Sequence, residues 1–99
     1  MLVNERQTQE GLLVAVCDED VLGETFESDD ISLTVTEEFY GGESADECAV
    51  VDSLSRAAVA NLVGTRAVEL AIEEGFVDEA NVLEVGSTLH AQLLRMQQF

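Results

Sequence analysis

The chain contains no lysine and no proline, and four arginines are its whole supply of positive charge against 21 acidic residues, for a formal net charge of -17. Such an imbalance weakens a compact state by self-repulsion unless counterions screen it, and salt at about 1 M cuts the screening length to about 3 Å. The composition therefore predicts a protein adapted to a very salty cytoplasm. Phosphate backbones and anionic lipid are repelled at ordinary ionic strength, so specific DNA binding is not expected, although molar salt leaves room for a local arginine contact with RNA. Cysteine is also scarce. Cys17 and Cys48 form no Cys-x-x-Cys pair, and buried free thiols are expected rather than a disulfide. A single histidine, His90, excludes a multi-histidine metal site within one chain. The apolar run Leu12 to Cys17 is far short of the roughly 20 residues a membrane span needs, and the amino end has no basic-then-apolar leader. Cytoplasmic location without membrane association is the expectation.

What the chain does have is apolar content, 46% of its residues, enough to bury a core despite the charge. A single α+β domain over residues 1–99 is expected, in the order β-β-β-α-α-β-β, with a mostly antiparallel sheet packed against two helices. Leu2 and Val3 open a hairpin whose second strand, Leu12 to Cys17, is apolar on both faces, as in a central strand covered on both sides. Asp18 to Gly23 reads as one capped helical turn, and Ile31 to Thr36 as a half-exposed strand. Ser44-Ala45-Asp46-Glu47 matches a capping box, opening a helical stretch that runs to Gly75. That stretch is too long for one helix of a small domain and is broken at Gly64-Thr65. Its first half is expected to bury Cys48, Val51, Leu54, Ala58 and Leu62, and its second Ala67, Val68, Leu70 and Ala71. Val82 to Val85 and Leu89 to Met96, joined by Gly86-Ser87, read as a closing hairpin.

Arg66 is the first candidate for function, because it sits at a helix start whose free N–H groups already carry positive potential. With Gly64 and Thr65 it forms a candidate anion or partner site, and Asn61, an amide in an apolar run, is expected to tie the helix junction to a loop. The bland reading pairs Arg66 with Glu69 or Glu73 along the helix. Phe39-Tyr40-Gly41-Gly42 reads as a recognition loop of two rings and two permissive backbone positions, with Phe39 alternatively closing the core. Arg56 lies four residues after Asp52, a common helix pair, and together with His90 is a possible interface residue. The acidic clusters match no calcium-loop spacing, and no phosphate-binding loop or nucleophile–base constellation is present, so no catalytic residue, metal or cofactor is assigned.

Leu13 to Asp18, then Glu37 to Gly42, then Ala60 to Ala71, with His90-Ala91-Gln92 near the end, resemble a family of small archaeal proteins, domain of unknown function 424. The resemblance implies an archaeal, haloarchaeal source and a small α+β fold, and brings no activity. Two functions follow as expectations. One is a noncatalytic interaction module, linked to translation or RNA handling, with a protein or ribonucleoprotein partner. The other is a small hydrolase or anionic-ligand-binding enzyme anchored on Arg66. A pocket joining Arg66, His90 and a buried carboxylate would favour the enzyme, and an exposed Tyr40 beside an apolar patch the module.

Overall fold

Alternating apolar residues in a chain rich in β-branched side chains build a six-stranded sheet, seen in a computed structural model that describes residues 1–95. Its strands are β1 (Leu2–Thr8), β2 (Gly11–Cys17), β5 (Glu43–Ser44), β6 (Val59–Val63), β7 (Leu83–Val85) and β8 (Thr88–Leu94), in the order β5-β1-β2-β6-β8-β7. Only β2 and β6 pair in parallel. All other neighbours are antiparallel. A separate hairpin, β3 (Thr25–Ser28) with β4 (Ile31–Thr34), and a one-turn helix α1 (Glu37–Tyr40) lie on one face of the sheet, while α2 (Glu47–Arg56) and α3 (Thr65–Glu73) pack on the other. The α+β class and the predominantly antiparallel sheet agree with the sequence reading.

β2 is covered on both faces, as its double-sided apolar pattern required. Val14 and Val16 join the helix-side core with Val50, Leu54, Leu62, Val68 and Ala71. Ala15 and Cys17 join a second core with Val21, Val35, Tyr40 and Val63. At about 25 cal/mol per Å² of apolar area, this two-sided burial is the main force holding the acidic chain compact. α3 buries Ala67, Val68, Leu70 and Ala71 as expected, and Gly75, at φ 78°, ends it.

The expected helical stretch from Ala45 to Gly75 is corrected in its middle. α2 stops at Arg56, and Val59–Val63 is a central strand rather than helix, so Ala58 and Leu62 are not on a helix face. Asn61 therefore stands on a strand, where its Oδ1 accepts a bond from Gln92 Nε2 at 3.0 Å, rather than at a helix junction. The capping box is displaced too. Ser44 pairs with Leu2 in the sheet, and Asp46 is the cap of α2, accepting the Ala49 N–H at 2.9 Å. Cys48 is exposed, while α2 buries Val50, Ser53 and Leu54. The closing hairpin forms, with Met96 outside the described residues.

Candidate functional site

The N-terminus of α3 is already occupied from within the chain. Asp18 follows β2 directly, and its carboxylate accepts the backbone N–H of Arg66 at 3.0 Å and of Ala67 at 2.9 Å. This is the anionic partner that a helix start prefers, and it offsets the unfavourable cation at Arg66. Gly64 makes the approach possible: its φ is 116°, and a Cβ there would lie 2.5 Å from Cγ of Asp18. Within the predicted Gly64-Thr65-Arg66 anion site, the Arg66 N–H is thus taken by Asp18, and the Gly64 N–H by the Leu89 carbonyl at 2.9 Å. The hollow beside the Arg66 side chain, about 410 Å³, is lined by Met1 and by Asp18, Glu19 and Asp20, an arrangement that repels anions. Arg66 reaches Glu47 of α2 at 3.8 Å instead of Glu69 or Glu73.

Phe39 and Tyr40 do not form an exposed recognition loop. Tyr40 is 5% exposed, ends α1 and meets Phe39 edge to face with ring centres 4.9 Å apart. Burial pushes its phenol up to about 12. Gly41 and Gly42 serve the packing of this corner, since a Cβ on Gly42 would come within 2.0 Å of the Val3 carbonyl oxygen. Arg6 donates to the Glu38 carbonyl and lies 5.7 Å from the Phe39 ring centre.

Arg56 keeps its expected pairing with Asp52, at 3.1 Å, and adds Glu5 at 2.7 Å. Glu5 also accepts a bond from the Ser53 hydroxyl, and that bond first, then Arg56, holds its carboxyl below the usual range. The open cleft over this cluster measures about 520 Å³ and mixes polar and apolar walls. Arg95, which the sequence did not single out, caps α2: its Nη1 lies 3.1, 2.9 and 3.0 Å from the carbonyl oxygens of Leu54, Ser55 and Ala57. All four arginines are therefore engaged by groups of the chain itself.

His90 is on β8, where Nδ1 donates to the Leu62 carbonyl at 3.0 Å. It pairs with Val63, close to the start of α3, but lines a groove different from the hollow beside Arg66. That groove, about 610 Å³, lies between the end of β8 and the segment leading into β7, with Phe76, Val77, Asp78, Leu83, Gln92 and Leu94 among its walls. β7 pairs with β8 only from Thr88 to His90, whereas β8 continues to Leu94.

The ladder determines which backbone groups this leaves free. Leu89 accepts from Gly64 and Arg95 donates to Ala58, so the odd-numbered residues of this strand direct their backbone groups toward β6. Gln92 and Leu94 consequently direct their N–H and C=O groups away from β6, toward the groove, and no strand meets them among the described residues. Leu94 is 67% exposed and Leu83 42%. In register across the sheet stand Leu13, Val59 and Leu94, an apolar row on the face that α1 and the β3–β4 hairpin leave only partly covered. The sequence reading already set a short strand against a long one here; what it did not supply is the sheet order, which puts β7 at the margin with no further strand to cover Gln92 and Leu94 among the described residues.

Residues 5–96 match the family model described as protein of unknown function (DUF424). The chain belongs to this family. The crystal structure of an uncharacterized conserved protein from Methanopyrus kandleri has a similar fold, with a TM-score of 0.77 and 25% sequence identity over 99% of this chain and 95% of that chain. The DUF424 chain has no match among curated proteins.

Proposed function

We propose that this DUF424 protein is a noncatalytic interaction module that takes up an extended segment of a partner protein along the free end of β8. The observation carrying this reading is the outward backbone of Gln92 and Leu94, unpaired among the described residues and beside an apolar-walled groove. An unpaired strand end binds a segment through main-chain hydrogen bonds, with alternate side chains entering the flanking surface. The other margin of the sheet is different. β1 continues past the two-residue β5 with Glu5, Arg6, Gln7 and Thr8, polar residues of the kind that discourage edge pairing, while β8 ends in Ala91, Gln92, Leu93 and Leu94 without a charge.

Partners in translation or RNA handling fit this reading through their protein component. With every arginine engaged internally, RNA itself finds little cationic surface. No observation favours the hydrolase reading, since Arg66 and His90 line separate hollows. The test is affinity capture from native lysate at molar potassium chloride with wild type, Leu94→Lys and, as an edge control, Gln7→Lys. Proteins held by wild type and Gln7→Lys and lost with Leu94→Lys support the reading. Capture indifferent to Leu94→Lys in a folded protein removes it.

A further inference from the structure

Resting on that reading, the geometry points to one class of occupant: an extended segment of a basic protein, in which apolar residues alternate with lysine or arginine. Three observations combine. First, the groove occupies the line that β7 would follow if it were as long as β8, and the opposing strand offers four residues, Ala91 to Leu94. The site accepts a strand, since its polar groups are backbone N–H and C=O at strand spacing.

Second, both faces of an incoming strand meet apolar surface. Phe76 and Val77 pack with the helix-side core and wall one side of the groove, while Leu83 and Leu94 stand exposed on the other. A strand puts successive side chains on opposite faces, so an apolar residue finds contact on either side.

Third, charge selects among strands. Asp78 is the acidic side chain in the groove wall, and its Oδ1 is used by the Ala80 N–H at 3.1 Å, leaving Oδ2 available. Behind it stands a chain of net charge -17. Arg95, next to the groove at the end of β8, is tied to the carbonyl end of α2 and lies 5.8 Å from the Phe76 ring centre. At molar salt, where screening confines charge effects to about 3 Å, the selecting charge is the local one: the free Oδ2 of Asp78 favours a cationic side chain over an acidic one, and the net charge adds to this preference as salt falls.

The test uses two fluorescent synthetic peptides of equal length, alternating valine–lysine and alternating valine–glutamate. They are titrated against the full chain by anisotropy, across potassium chloride concentrations at which circular dichroism reports the folded state. The valine–lysine peptide is expected to bind about tenfold tighter or more, the preference shrinking as salt rises. Leu94→Pro, which removes an outward-facing N–H at a position where an edge strand tolerates proline, is expected to weaken that binding about tenfold. Leu94→Lys serves the same purpose if the proline variant does not fold. Hydrogen exchange at the Gln92 and Leu94 amides is expected to slow when the peptide binds.

Equal binding of both peptides, abolished by the Leu94 variants, overturns the cationic occupant and leaves the strand-edge reading standing. Binding indifferent to both Leu94 variants overturns the edge reading itself. Binding of neither peptide, or a wild-type dimer by sedimentation that Leu94→Lys dissociates, overturns the basic segment, the dimer making a second copy the occupant.

Discussion

Asp18 and Gly64 are fitted to each other so closely that a Cβ added to Gly64 would lie 2.5 Å from Cγ of Asp18. The contact fastens the exit of β2 to the start of α3, because the same carboxylate accepts the Arg66 and Ala67 N–H groups. Asp18→Ala is expected to cost about 1–2 kcal/mol, the usual loss of a helix cap. Gly64→Ala is expected to cost more than the ordinary glycine-to-alanine change, since it adds an unfavourable positive φ to displacement of Asp18. Chemical denaturation of the two single variants and the double variant checks this. Strictly additive losses would sever the coupling, whereas a double variant little worse than Gly64→Ala supports it.

Thr88 leads to a prediction of opposite sign. It opens β8, is 4% exposed, and its hydroxyl has no hydrogen-bond partner among the described residues. A buried hydroxyl without a partner costs about 1–3 kcal/mol, so Thr88→Val, similar in shape, is expected to stabilise the fold by about 1 kcal/mol. Thermal melting reads the change directly. A destabilised variant would mean that the hydroxyl is satisfied in solution.

The contact of Asp18 with Gly64 marks where local sequence stops being informative. The two-sided pattern of β2, the buried stripe of α3 and the Gly86-Ser87 hairpin were legible because each is a repeat of apolar side chains closed by a glycine or a polar turn. The run Ala57 to Val63 was not, since a short apolar run reads equally well as a buried helix or a buried strand. No glycine or proline stops α2 after Arg56. What meets its end is Arg95, distant in sequence but near its last carbonyls. The cap of α3 likewise comes from Asp18, so the helix start looked open when read locally. Asp29-Asp30 form the turn between β3 and β4, with Asp29 at φ 48°. For the candidate site, His90 was singled out in advance and the unequal strands of the closing hairpin were legible, but the free edge at Gln92 and Leu94 depends on the order of strands in the sheet, which local residue patterns do not encode.

The second core predicts an alkaline limit to the fold. Burial pushes Tyr40 from its ordinary 10.0 to about 12; burial and then the charge of Asp18 push Cys17 from 9.0 to about 11. Once unfolded, both groups ionise near their ordinary values, so above about pH 9 the unfolded chain binds fewer protons than the folded one. Stability is therefore flat in these groups below that point and falls as pH rises through the window from 9 to 12. Tyr40 is the only tyrosine and there is no tryptophan, so tyrosinate absorbance reports this residue alone. The rise in absorbance is expected to coincide with loss of circular dichroism above pH 10, and Tyr40→Phe to make the alkaline loss shallower. A phenol titrating near 10 in a chain that remains folded would show that the ring is accessible.

Salt tests the balance on which the whole fold depends. Among the described residues three ion pairs form, Arg56 with Glu5 and Asp52, and Arg66 with Glu47, and each has partly or largely exposed partners. Such pairs contribute about 0–1 kcal/mol and are themselves weakened by salt, so they cannot hold the chain against a net charge of -17. Screening the repulsion must outweigh screening the pairs. Lowering potassium chloride from about 1 M to about 0.1 M lengthens the screening distance from about 3 to about 10 Å, and the melting temperature is expected to fall with it. Arg56→Gln is expected to matter less than this change of solvent, lowering the melting temperature by less than the drop in salt does. A melting temperature unchanged between the two concentrations would mean that the acidic side chains lie far enough apart not to strain the native state, and the prediction of adaptation to a salty interior would fall with it.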